Sequence, residues 1–167
     1  KRENNSSVVM YRDGIELARG TVPQGNNAAD LRIALGYRPV DDMMALNGGV
    51  DDFRLYDRAL SNFEVASLHS IETPYQFARN DGLIAHYAFN NGTAEDSGVQ
   101  LNHGAFGLGS RTPALTTDRL GNANEAILLD GIDDIAEVTA ATAGNFTALN
   151  FDNRTSFTMS LWAKPRD

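Results

Sequence analysis

The sequence predicts an all-β fold, an antiparallel β-sandwich carrying one short helix. Three observations lead there. The apolar runs are short, and several alternate with polar residues, the period that presents one side of a strand to a core. Asp, Asn and Gly recur between those runs, with 15 glycines in 167 residues, in combinations that close tight turns. Only one stretch carries a helix-start signature, and many short strands with a single short helix pack sheet on sheet.

Taken in order, Val8-Val9-Met10-Tyr11 and Ile15-Glu16-Leu17-Ala18 flank Arg12-Asp13-Gly14, a strong local hairpin signal. Residues 31–35 alternate and stop at Gly36. Residues 50–56 are apolar at Val50, Phe53 and Leu55 and read as a half-buried strand, although the Asp51-Asp52 pair disturbs the period of two. Ser61-Asn62-Phe63-Glu64 is a capping box, in which hydroxyl and carboxylate satisfy opposite ends of a first helical turn. It starts a short helix near 62–68, with Phe63, Ala66 and Leu68 expected on a core. Residues 71–81, with Pro74 and a polar end, read as a linker. Strands then recur at 83–89, 126–129, 135–138 and 156–162, with weaker candidates at 104–109 and 112–117. Turn chemistry at 90–92, 96–98, 130–131 and 144–145 separates them. No fixed-period repeat is present.

Composition narrows the function classes. Lys and Arg number 14 against 22 Asp and Glu, a formal charge of −8, which argues against a nucleic-acid binder. No run approaches the roughly 20 apolar residues of a membrane span, and residues 1–7 are too polar for a signal peptide. With no cysteine, disulfides, thiolate metal sites and thiol nucleophiles are excluded.

Two stretches carry a recognisable pattern. The first comprises Met10-Tyr11-Arg12-Asp13-Gly14, residues 31–36, and the run Gly49-Val50-Asp51-Asp52-Phe53-Arg54-Leu55-Tyr56-Asp57-Arg58-Ala59-Leu60-Ser61 with Glu64. It resembles the closing half of a laminin-G-like module, of the concanavalin A-like lectin/glucanase superfamily. The second comprises residues 82–89, Asp96-Ser97-Gly98 with Asn102-His103-Gly104, Gly121-Asn122-Ala123, residues 126–131 with Asp133-Asp134, and residues 156–165. It resembles the opening half of such a module. The chain therefore divides into a closing half (1–70; pattern about 8–68), a linker (71–81) and an opening half (82–167; pattern about 82–165). The resemblance implies a jelly-roll sandwich with its halves in permuted order, closing as one core. The order also fits a piece of a tandem array, with neighbouring modules in a longer chain, or sheets completed by another chain.

Several constellations carry possible chemistry. Aspartates cluster at Asp41-Asp42, Asp51-Asp52, Asp96, Asp130 and Asp133-Asp134. A hard cation takes six to eight oxygens, while the same residues also close ordinary turns. The resemblance implies a structural calcium held by Asp52 with help from Asp51, by groups near Asp130 and Gly131, and further by Asp96. Glycoside hydrolysis needs two carboxylates facing one cleft. The nearest run, Ile132-Asp133-Asp134-Ile135-Ala136-Glu137, has Ile132 where the first catalytic glutamate belongs, and Asp134 and Glu137 fall on opposite sides of a regular strand. No catalytic residue is assigned. His69, His86 and His103 lack metal-ligand spacing and read as turn or strand residues. Trp162 alternates with Leu161 and reads as a core residue, while Tyr37-Arg38 is the expected exposed ligand contact. Three glycosylation sequons begin at Asn91, Asn145 and Asn153.

These readings favour a non-catalytic extracellular or secreted module that binds carbohydrate or protein ligands and is stabilised by calcium. A purely structural spacer is the alternative, and a glucanase-type hydrolase is a weaker one.

Overall fold

The computed structural model describes residues 7–21, 33–36, 45–70, 81–144, 146–149 and 156–166. Residues 71–80 of the expected 71–81 linker, Tyr37, Arg38 and the Asp41-Asp42 pair lie outside the described residues. The elements are β1 (Ser7–Arg12), β2 (Ile15–Thr21), β3 (Ile33–Leu35), β4 (Asn47–Tyr56), α1 (Asn62–His69), β5 (Leu83–Tyr87), β6 (Ala105–Phe106), β7 (Ala114–Thr116), β8 (Ala126–Asp130), β9 (Ala136–Val138) and β10 (Thr158–Pro165), with short 3-10 turns between some of them. Among the described residues the fold is all-β with one α-helix.

β1 and β2 form the hairpin that the Asp-Gly turn predicts. Asp13 and Gly14 both take positive φ, 52° and 73°, as a primed turn requires. The turn seats on α1, because a Cβ at Gly14 would meet the His69 side chain at 3.0 Å.

A five-stranded antiparallel sheet is built around β4. β10 lies along one side, and β5 and β8 share the other end to end. β5 pairs with the second half of β4 (Phe53 opposite Tyr87, Leu55 opposite Ala85), β8 with the first half (Val50 opposite Ile127), and β7 extends the sheet beyond β8. The strand Leu83–Tyr87 thus lies directly beside Asn47–Tyr56. A second antiparallel sheet has the order β3-β9-β6.

Both sheets contribute to one apolar cluster. Val50, Phe53, Leu55, Ala85, Tyr87, Ile127 and Leu129 meet Ala136 and Val138, with Leu35 and Phe106 packed alongside. Stacked rings cross the interior, from Phe53 to Tyr87 (6.0 Å), Tyr87 to Phe89 (6.5 Å) and Phe89 to Phe106 (6.4 Å). β4 is almost wholly buried rather than half-buried as expected. At one end Tyr56 packs with Leu60, Leu68 and Leu83 in a second cluster, and on the side away from the first cluster Asp51, Asp52 and Arg54 are buried in ion pairs.

Helix α1 begins at the predicted capping box. Glu64 N–H donates to Ser61 Oγ at 3.2 Å, and Ser61 N–H donates to Glu64 Oε2 at 2.7 Å. Its buried face differs from the expectation: Leu68 packs inward with Val65, while Phe63 is 79% exposed and Ala66 is exposed. Eight residues make barely two turns, so one pair of side chains anchors the helix.

The disturbed period in β4 is a β-bulge. Against β10, Arg54 faces Ser160 and Asp51 faces Trp162, so β4 spends three steps where β10 spends two. Asp52 is the extra residue, with φ 58°. The bulge restores a shared side to residues three apart, so Val50 and Phe53 both enter the core.

Candidate functional site

The bulge sits where β4 changes partner from β8 to β5, and it gathers charge on the side of the sheet away from the shared core. Asp52 Oδ1 lies 2.7 Å from Arg54 Nη2 and 2.6 Å from His86 Nε2, and Asp52 Oδ2 lies 3.3 Å from Arg119 Nη2. Asp51 Oδ2 lies 3.2 Å from Arg119 Nη1. Burial opposes ionisation of Asp52, but the His86 hydrogen bond and the two guanidinium groups outweigh it and hold the carboxyl below its ordinary value. Asp51 moves the other way, raised by burial and by the Asp52 charge, with Arg119 only partly offsetting them.

Arg119 also caps Trp162, its guanidinium carbon 5.1 Å from the ring centroid. The indole stacks against His69, the last residue of α1, at 5.6 Å. Trp162 therefore belongs to the outer side of the sheet and is half-exposed, not part of the core as the sequence suggested. Its alternation with Leu161 leaves the direction open, and pairing opposite Asp51 settles it.

Beside Trp162 runs an open groove of about 550 Å³. Cross-strand register explains its floor. One row places Lys164 opposite Gly49 and Gly49 opposite Leu128; the next holds Trp162 opposite Asp51 and Ala126 opposite Thr116. Gly49, Ala126 and Leu128 keep the floor low and apolar, while Trp162, Asp51, Arg119, Thr116 and Asp118 supply a ring and hydrogen-bonding groups. This size and mixture suit a small ligand. Arg119 and Thr116 were not singled out from the sequence, and His69, read there as a turn or strand residue, ends α1. Arg119 lies in a turn with no motif, and only the fold brings it to Asp51, 68 positions away.

The expected calcium ligands do not form one site. Asp51 and Asp52 are joined to Asp96 through His86, whose backbone N–H donates to Asp96 Oδ1 at 2.8 Å. Asp130 and Gly131 stand beyond the other end of β4, where Asp130 pairs with Asn47, roughly 15 Å from Asp52 at strand spacing. Each carboxylate is already engaged. Asp51 and Asp52 face guanidinium groups, which repel a metal ion. Asp96 accepts backbone N–H groups of His86, Gly98 and Asn102. Asp130 Oδ1 accepts those of Ile132 and Asp133, which lowers its carboxyl's affinity for protons. Among the described residues no group of three or more His, Asp and Glu side chains is placed to hold a metal. This donor set does not fit calcium.

Asp96 and its neighbours form a structural knot. Asn102 is fully buried, donates its side-chain amide to Ile84 O at 3.0 Å and accepts the Tyr87 hydroxyl at its carbonyl. His103 Nδ1 accepts the Asp96 N–H at 3.3 Å.

Ser97 Oγ lies 3.3 Å from His86 Nδ1, which completes a Ser-His-Asp line with Asp52. Its surroundings do not support acyl transfer. Ser97 N–H donates to His86 O, Gly98 N–H donates to Asp96 Oδ1, and the Ser97 hydroxyl donates to His86 O at 3.0 Å. Neither backbone donor is free for an oxyanion. In the other acidic run, Asp133 accepts from Ser110, Asp134 from the Asp130 N–H, and Ile132 is 71% exposed.

Comparison with known proteins finds no matching family model, no matching curated protein and no matching solved structure.

Proposed function

We propose that the chain is a carbohydrate-binding module without catalysis of its own, acting outside the cell as part of a larger surface or secreted protein. In this reading its fold is a laminin-G-like jelly roll whose closing half precedes its opening half. Support for the permuted core comes from β5 lying beside β4, since the resemblance makes these the first and last strands of a module. The single observation that carries the function is the groove on the outer side of the sheet. It sets the exposed part of an indole and a threonine hydroxyl beside an ion-paired carboxylate and guanidinium above an apolar floor, a mixture of apolar contact and hydrogen-bonding groups that suits a sugar ring.

A glycan array probed with the intact chain and with Trp162→Ala tests this. Retention of at least one saccharide class by the intact chain, with loss in the variant, is the expected result. Binding to no saccharide overturns it in favour of a structural spacer, and cleavage of a retained β-glucan overturns the non-catalytic assignment.

A further inference from the structure

The charge left over in the groove narrows the ligand, an inference that rests on the carbohydrate reading above. The groove's two carboxylates are committed. Asp118 binds the backbone N–H groups of Leu120 and Asn122 and the Asn122 side chain, and Asp51 binds Arg119. Arg119 is committed in turn to Asp51, Asp52 and the Trp162 ring.

What remains is positive. Lys164 and Arg166 line the groove, are exposed, and make no ion pair with a described residue. They follow Trp162 at every second position, so the three stand in a row with about 7 Å between neighbours. The Arg166 N–H donates to Asn47 O at 2.8 Å, which carries the strand's line one residue past β10. In a chain of net charge −8, two adjacent uncompensated cations at the end of a ligand groove are a local exception.

We infer that the groove selects a carboxylate-bearing saccharide, an oligomer of uronic acid. One ring lies along the Trp162–Asp51 row and a carboxylate of a neighbouring ring sits between Lys164 and Arg166. A guanidinium fork and an ammonium offer a carboxylate charge-assisted hydrogen bonds that a neutral sugar cannot accept with equal strength.

Calorimetric titration with tetragalacturonic acid and with its fully methyl-esterified, uncharged counterpart separates charge from shape. The acid is expected to bind about tenfold tighter than the ester. That preference is expected to shrink in high salt, and to vanish in a Lys164→Gln/Arg166→Gln variant whose melting temperature stays unchanged. Equal affinity for acid and ester, or a preference that survives the double substitution, overturns the inference. If neither tetramer binds while the array retains a neutral sugar, the acid selectivity alone falls; if no saccharide binds at all, the carbohydrate reading falls with it.

Discussion

Replacing Asp52 by Asn removes one negative charge from a point where three cations meet one carboxylate, while keeping shape and tolerance of its positive φ. The Asp52 side chain is 7% exposed, and its nearest cation, Arg54, is 9% exposed. His86 and Arg119 are 22% and 23% exposed and turn to water when their partner goes. Arg54 has little water to turn to. Breaking a buried pair by removing one member costs about 3 to 5 kcal/mol. With two of three cations able to resolvate, the expected cost is at the lower end, about 3 kcal/mol. For a chain of this size that lowers Tm by roughly 6 to 12 °C. Asp52→Ala is expected to cost about 1 kcal/mol more, because its Cβ meets the φ penalty without a side chain that bonds locally. Urea unfolding followed by Trp162 fluorescence measures both. In an Arg54→Met background the Asn substitution is expected to cost much less, which isolates the coupling. A cost below about 0.5 kcal/mol for Asp52→Asn would refute the assignment of that carboxylate as the buried counter-charge of the sheet.

Three further outcomes follow from contacts elsewhere in the structure. Chelation with EDTA is expected to leave the melting temperature unchanged, because guanidinium groups and backbone donors already hold the carboxylates a calcium would need; a drop on chelation, reversed by calcium, would contradict this. Ser61→Ala is expected to destabilise by about 1 kcal/mol through loss of the helix cap. Glu64 adds a pH signature to that cap: the Arg58 hydrogen bonds, aided by Ser61, lower its pKa to about 2 from 4.5. Since the folded value lies below the unfolded one, this contribution is complete above about pH 4.5 and disappears as pH falls towards 2. Acid titration of stability shows a component in that window that Glu64→Gln lacks.

Local signals in the sequence carried most of the strands. The Asp13-Gly14 hairpin and the Ser61–Glu64 capping box depend on residues within a few positions of each other, and both appear in the structure as read. The Asp51-Asp52 disturbance was visible as a broken period, but its meaning was not. A bulge is defined by the partner strand, and β10 lies more than 100 residues further along. The same distance hid the groove. Trp162, Asp51, Arg119 and Thr116 come from three separate stretches, and only register aligns them. Aspartates misled for a physical reason: a carboxylate that accepts backbone N–H groups in a turn, as Asp96 and Asp130 do, occurs in the same Asp-Gly-Asn context as one that binds a hard cation.

The central claim is that ligand meets this molecule at the indole and guanidinium of the outer sheet groove. Nuclear magnetic resonance titration with a saccharide retained on the array reads it directly. The Trp162 indole N–H and the Thr116 and Arg119 signals are expected to move together and saturate with one affinity. Saturable shifts confined to the β1–β2 hairpin or to the β3-β9-β6 sheet, with Trp162 unmoved, would contradict it.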